Sequence, residues 1–182
     1  MRIITGAARG RKLKEPRGTD IRPTTGLVKE AVFNIIQFDI EGRRVLDLFA
    51  GTGQLGIEAL SRGAESCTFV DEDRQAAALV RENLKRSGLD GGSVFQAESL
   101  GFLRQGERFD LIFLDPPYDT PLLEKALSRI FQFDILSNGG IILCESGRDK
   151  RLLSPEEPYV LRRDYVYGKT KLTVYTREER RV

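Results

Sequence analysis

The chain has 182 residues and no histidine, which excludes a histidine-based triad, histidine acid–base chemistry and a histidine-ligated metal site. One domain with room for a full core is the expectation at that length, and 40% apolar with 31% charged residues is ordinary soluble-globular composition. The net charge of +2 conceals a division, because residues 1–22 carry +5, residues 23–147 carry −7 and residues 148–182 carry +4. An acidic body between basic ends suggests an anionic macromolecular partner. No apolar run approaches the roughly 18 residues that span a bilayer, and no apolar signal core follows the basic start. Cys67 and Cys144 lie in separate apolar runs, so buried free thiols in a reducing cytoplasm are expected, with neither membrane nor metal involved.

In chain order, Arg2–Gly6 reads as a short strand, followed by a Gly/Arg/Lys/Pro-rich stretch to Pro23 with little apolar content. Residues 1–24 therefore read as a basic arm whose cations include Arg2, Arg9, Arg11, Lys12 and Arg22. Too few apolar side chains are present there for a separate core, so the arm is expected to order on a phosphate backbone. From Leu27 to Ile36 apolar residues recur on one helical face, with Thr24 or Thr25 as the N-cap.

Strands and helices then alternate: strand 45–50, helix 55–62, strand 67–70, helix 73–87 stopped by Gly88, and strand 94–96 with a helical turn to 102. Strand 111–114, helix 121–133 and strand 141–145 complete the series. These strands are continuous apolar runs, which suit a parallel sheet covered by helices on both faces. Tyr159–Tyr167 and Lys171–Tyr175 instead alternate around Gly168 and read as an antiparallel hairpin at one edge. The predicted fold is doubly wound, Rossmann-like α/β over residues 25–182, mostly parallel, preceded by the arm.

Val45–Gly56 joins a strand to a helix through Gly51, Gly53 and Gly56, the G-x-G-x-x-G spacing that lets a ligand approach backbone and helix N-terminus. Asp71 ends the next strand 20 residues after Gly51, where a carboxylate meets the ribose hydroxyls of an adenine cofactor. Asp47 separates two cofactor classes. A carboxylate inside the first strand crowds an anionic pyrophosphate but suits the sulfonium and ammonium of S-adenosylmethionine. Glu98, after the following strand, is placed to accept from an adenine amino group or to cap a helix.

Asp115-Pro116-Pro117-Tyr118 follows another buried strand, at the sheet edge where ligands of open α/β folds bind. Two prolines hold the loop extended. That leaves a carboxylate, the Pro116 carbonyl and the Tyr118 ring, a set that fits a planar base with an exocyclic amine. Two acceptors on the amine hydrogens favour pyramidal nitrogen and aim its lone pair at a sulfonium methyl.

With these motifs the chain resembles the class I S-adenosylmethionine-dependent methyltransferases of exocyclic amines. More narrowly it resembles the RsmD family of bacterial small-subunit ribosomal RNA guanine-N2 methyltransferases. The likeness runs through Arg2-Ile-Ile-Thr-Gly6, Arg9-Gly-Arg11, Arg22-Pro-Thr24, Lys29–Asn34, Leu46–Gly53, Leu55–Ala64 and Asp115–Tyr118. It implies a cofactor loop of Asp47, Phe49, Ala50, Gly51, Thr52 and Gly53, a ribose acid at Asp71, and a catalytic loop carrying Asp115, Pro116 and Tyr118. It further implies ribosomal RNA as partner, free or within the assembled small subunit. Glu98 stands where the family usually has Asp or Asn. The competing readings are a DNA adenine-N6 or cytosine-N4 methyltransferase, an NAD-dependent oxidoreductase and a non-catalytic RNA-binding module. Little chain remains for a separate DNA-recognition domain, and Asp47 opposes a dinucleotide.

Overall fold

Strands without polar alternation must be covered on both sides, and the computed structural model, which describes residues 1–16 and 25–178, covers them. The elements are α1 (Gly26–Ile35), β1 (Arg44–Asp47), α2 (Gln54–Ser61), β2 (Ser66–Asp71), α3 (Arg74–Ser87), β3 (Gly92–Gln96) and α4 (Ser99–Phe102). After a 3-10 turn at Leu103–Gln105 come β4 (Phe109–Leu114), α5 (Leu122–Phe133), β5 (Leu136–Gly147), β6 (Tyr159–Tyr167) and β7 (Thr170–Arg177). They form a seven-stranded sheet in the order β3-β2-β1-β4-β5-β7-β6. The pairs among β1 to β5 are parallel, and β7 runs antiparallel to both β5 and β6.

Chain order reverses between β1 and β4, which opens a crevice beyond their carboxyl ends. On one face α1, α2 and α3 bury Phe33, Ile57 and Val80 with Phe69 and Phe113 of the sheet. On the other, α4 and α5 bury Phe102, Leu127 and Ile130 with Ile112 and Tyr175. Local sequence explains the helix ends. The Thr25 hydroxyl accepts from the Val28 N–H at 3.4 Å, Asp73 caps α3, and Gly88 ends it in the left-handed region. Thr24, the other candidate cap, lies outside the described residues.

Two boundaries differ most from the sequence reading. β1 ends at Asp47 rather than Ala50, because the chain leaves the ladder to form the loop that follows. β5 begins at Leu136, where it pairs with Phe109 across a register shift that the apolar run does not reveal.

The larger correction concerns the N-terminus, where residues 1–16 are already packed against the body. Ile3, Ala8 and Leu13 are buried in the core shared with α1, α2 and α3. The expected strand reduces to one antiparallel bridge, Arg2 to Lys12, because the Ile4, Thr5, Ala7, Ala8 and Lys14 N–H groups bond outside the segment. The Ile4 and Thr5 N–H groups donate to the fully buried Glu58 carboxylate at 2.8 and 2.9 Å. The Ala7 and Ala8 N–H groups reach the Ser61 carbonyl and hydroxyl at 2.7 and 3.0 Å. Gly6 is required there, since a Cβ would lie 1.7 Å from the Ser61 carbonyl oxygen. Glu58 also accepts from Lys29 Nζ at 2.9 Å and Arg62 Nε at 3.0 Å. Burial opposes its ionisation, yet the Ile4 N–H, Lys29 and Arg62 hold its pKa below the ordinary value. Apolar content alone misses this arrangement, in which one buried acid gathers four donors.

Removing that acid strands the buried Lys29 ammonium and two amides. Glu58→Ala is expected to cost about 3–5 kcal/mol in urea unfolding, as for other broken buried ion pairs. Lys29→Met is expected to cost less, because Glu58 keeps Arg62 and both amides.

Candidate active site

Acidic residues close or follow five parallel strands: Asp47 after Leu46, Asp71 at the end of β2, Glu98 after β3, Asp115 after β4 and Glu145 near the end of β5. The fold delivers all five to one cavity of about 530 Å³, a volume typical of small-molecule sites. Both sequence motifs line it: Asp47 and Phe49 through Thr52 on one side, and Asp115 through Tyr118 on the other. Among the described residues that line it, eight are Asp or Glu and none is Lys or Arg.

The glycine loop is built by close approach. Gly53, at φ 77°, caps α2 without a side chain, and a Cβ on Gly56 would meet Phe69 Cε1 at 2.3 Å and Cys67 Sγ at 2.5 Å. Glycine at 56 thus lets α2 press onto β2, although Gly53 itself is not among the cavity-lining residues. Asp47 is buried beneath the loop and accepts from the Gly56 N–H at 3.1 Å. Burial pushes its pKa up to about 7, with the Gly56 N–H opposing the rise and the Asp71 charge adding to it. Asp71 accepts from the Gly51 and Asp73 N–H groups, both at 2.9 Å, and so fixes the loop while reaching the cavity. Glu98 lines the cavity too, but both its oxygens cap α4, accepting from Leu100 N at 3.0 Å and Gly101 N at 2.6 Å. Its anticipated adenine contact competes with that structural duty.

On the opposite wall Pro116 is buried and Tyr118 half-buried. The Tyr118 hydroxyl donates to Glu145 Oε1 at 2.6 Å and lies 3.1 Å from Thr170 Oγ1. Burial first, then Glu145, raises the phenol pKa, so Tyr118 remains a neutral donor with a fixed ring.

Sequence reasoning missed Glu145, although an acid ending a buried apolar strand is the same signal as Asp47. It also missed Thr170 and Asn83. Buried Asn83 donates to the Thr52 carbonyl at 3.0 Å and the Lys14 carbonyl at 3.1 Å, and accepts from the Lys14 N–H at 2.7 Å. It thereby ties the N-terminal segment to the glycine loop, with no sequence signal beyond one amide in a helix.

Arg2, Arg9, Arg11 and Lys12 are exposed, as phosphate contacts require, but they are not gathered at the cavity. The Arg11 guanidinium donates to the Ser87 carbonyl at the C-terminal end of α3. Asp73 and Ala76, at the other end of that helix, line the cavity, so Arg11 sits roughly 20 Å away by helix length. Arg22 lies outside the described residues.

Replacing Tyr118 by Phe withdraws a donor from a buried carboxylate. Tyr118→Phe is expected to lower stability by about 1–3 kcal/mol, with unchanged far-ultraviolet dichroism, and to loosen the ring on the catalytic wall.

Known proteins share this architecture. YlbH of Bacillus subtilis (strain 168), described as a candidate rRNA methyltransferase, is 42% identical over 180 residues, covering 96% of this chain and 98% of its own. Ribosomal RNA small subunit methyltransferase D of Escherichia coli (strain K12) is 35% identical over 179 residues, covering 98% and 90%. The solved structure of yhhF from Escherichia coli, titled a candidate methyltransferase, superposes with a TM-score of 0.89 at 33% identity and 98% coverage of both chains. The family described as Conserved hypothetical protein 95 matches residues 1–176. With relatives named ribosomal RNA small subunit methyltransferase D over nearly its whole length, the chain belongs to that family, the RsmD family.

Proposed function

We propose that the chain is an S-adenosylmethionine-dependent ribosomal RNA methyltransferase that modifies the exocyclic N2 amine of a guanine in the small-subunit RNA. The observation that carries the reading is one acidic cavity shared by the glycine loop and the Asp-Pro-Pro-Tyr wall. A lining whose charged groups, among the described residues, are all carboxylates fits a cofactor with a sulfonium and an ammonium and repels a pyrophosphate. When bound, that cofactor supplies a methyl group on positively charged sulfur.

The chain's own residues do the rest. Asp47 and the loop from Phe49 to Gly53 cradle the cationic end, and Asp71 offers the lone pairs its amide bonds leave over to the ribose hydroxyls. Glu98 borders the adenine region. The Asp115 carboxylate and the Pro116 carbonyl accept the two amine hydrogens, which turns the nitrogen lone pair outward. Tyr118, held by Glu145 and Thr170, supports the face of the base. As nitrogen gains positive charge, Asp115 stabilises it. Exposed Arg2, Arg9 and Lys12 are suited to phosphates of a long RNA, and Arg11 shares that role with its bond to Ser87. Guanine rests on the resemblance to guanine-N2 methyltransferases, since the wall itself recognises an amine. A ribosomal RNA substrate puts the working compartment in the cytoplasm.

Labelled S-adenosylmethionine is incubated with ribosomal RNA, small subunits or naked DNA, and the labelled nucleoside is identified. Label in N2-methylguanosine is expected; label in DNA adenine or cytosine, or none, overturns the reading. Asp115→Ala is expected to cut turnover about 10²-fold or more while calorimetric cofactor affinity holds.

Asp47 adds a pH signature. A carboxyl with a pKa of about 7 must lose its proton to meet a cationic ligand. Cofactor affinity is therefore expected to rise with pH, approaching tenfold per unit below about 7 and levelling above it. Asp47→Asn is expected to weaken binding and flatten that rise.

A further inference from the structure

Among the described residues no Lys or Arg lines the cavity, yet the proposed substrate is a polyanion, so its borders have to supply attraction. β6 is an edge strand, and its end at Tyr167 pairs with Thr170, which lines the cavity. Opposite Thr170, Leu172 and Val174 of β7 stand Tyr167, Tyr165 and Arg163, and that alternation puts all three on one face of the sheet. It is the face on which α1 packs, since Tyr165 and Tyr167 rest against the core shared with α1 and Leu172. Both rings are only partly buried. The Arg163 guanidinium lies over the Tyr165 ring at 5.1 Å from its centroid. Where β6 turns into β7, the Arg148 N–H bonds the Lys169 carbonyl at 2.9 Å, bringing two further exposed cations to the cavity border.

Ion pairing separates these cations from their neighbours. Lys150, Arg162 and Lys171 are matched to Glu124, Glu178 and Asp164. Among the described residues, Arg148, Arg163 and Lys169 have no carboxylate within ion-pair distance. Two rings spaced about 7 Å along a strand, flanked by unmatched cations, form a stacking track with an electrostatic rim. Such a surface tolerates many base sequences because every base has a π-face.

We infer that the edge strand β6 is a docking track for single-stranded RNA, in which Tyr165 and Tyr167 stack bases beside the target nucleotide and Arg148, Arg163 and Lys169 hold their phosphates. A strand led along Tyr167 reaches Thr170 and Tyr118, so the track delivers its end to the catalytic wall. The inference rests on the RNA methyltransferase reading and names where that substrate docks.

The test uses the full chain, a fluorescent single-stranded oligoribonucleotide of mixed sequence, and small-subunit ribosomal RNA. Tyr167→Leu and Tyr165→Leu, which keep apolar packing, are each expected to weaken oligonucleotide binding about tenfold. The triple variant Arg148→Gln, Arg163→Gln, Lys169→Gln touches no buried residue and controls for misfolding. Its slope of log affinity on log salt is expected to shrink by about two units, with S-adenosylmethionine affinity unchanged. If the triple variant binds and methylates ribosomal RNA like wild type at every salt concentration, the track is overturned and the functional reading stands. If the variants lose RNA binding but wild type labels no RNA, the track stands and the functional reading falls. A wild type that binds neither RNA, or variants that lose only a protein partner, overturns the track.

Discussion

Negative charge crowded into one cavity, with no facing cation among the described residues, is the constraint on which this site is built. Local devices make the carboxylates tolerable. Asp71, Asp73 and Glu98 are held by backbone N–H groups that begin loops and helices, so their cost is met by amides that need partners in any case. Asp47 takes such a bond from the Gly56 N–H, but burial outweighs it and the carboxyl binds a proton more readily. Glu145 takes a hydrogen bond from Tyr118, which converts a buried charge into a clamp on an aromatic ring. The cavity is thus a field prepared for a cation, and its acids double as the fasteners of its loops.

The N-terminal segment solves the reverse problem. The Ile4 and Thr5 amides and the Lys29 ammonium are brought inside, and Glu58 answers all three. Through Asn83 the same segment is coupled to Thr52 of the glycine loop, so a change in its docking is felt at the wall of the cavity.

Much of the architecture was legible because buried parallel strands leave an unmistakable record: apolar runs, with an acid or glycine where each one stops. The two motifs marked opposite walls of one cavity, and the hairpin showed in its alternation around Gly168. What escaped depended on partners distant in sequence. Three apolar residues, Ile3, Ala8 and Leu13, look insufficient for a core until α2 and α3 supply the rest of it. Arg11 looks available for phosphate until Ser87 appears beside it. Glu98 reads equally as a ligand acid or a helix cap, and the turn of α4 shows both its oxygens on the cap. Glu145 was visible by the rule that exposed Asp47; the motif beside it drew attention to Asp115 alone.

The sheet's two edges also divide labour. β3 closes the side where Asp71 and Glu98 stand. β5, β7 and β6 extend the other side beyond Tyr118. An antiparallel hairpin has a physical reason to stand there. Its alternation turns every second residue outward, whereas the central parallel strands must bury both faces. Such strands present Arg163, Tyr165 and Tyr167 in register while Leu172 and Val174 beside them on β7 keep the core closed. The departure from parallel order therefore falls where the proposed RNA track lies.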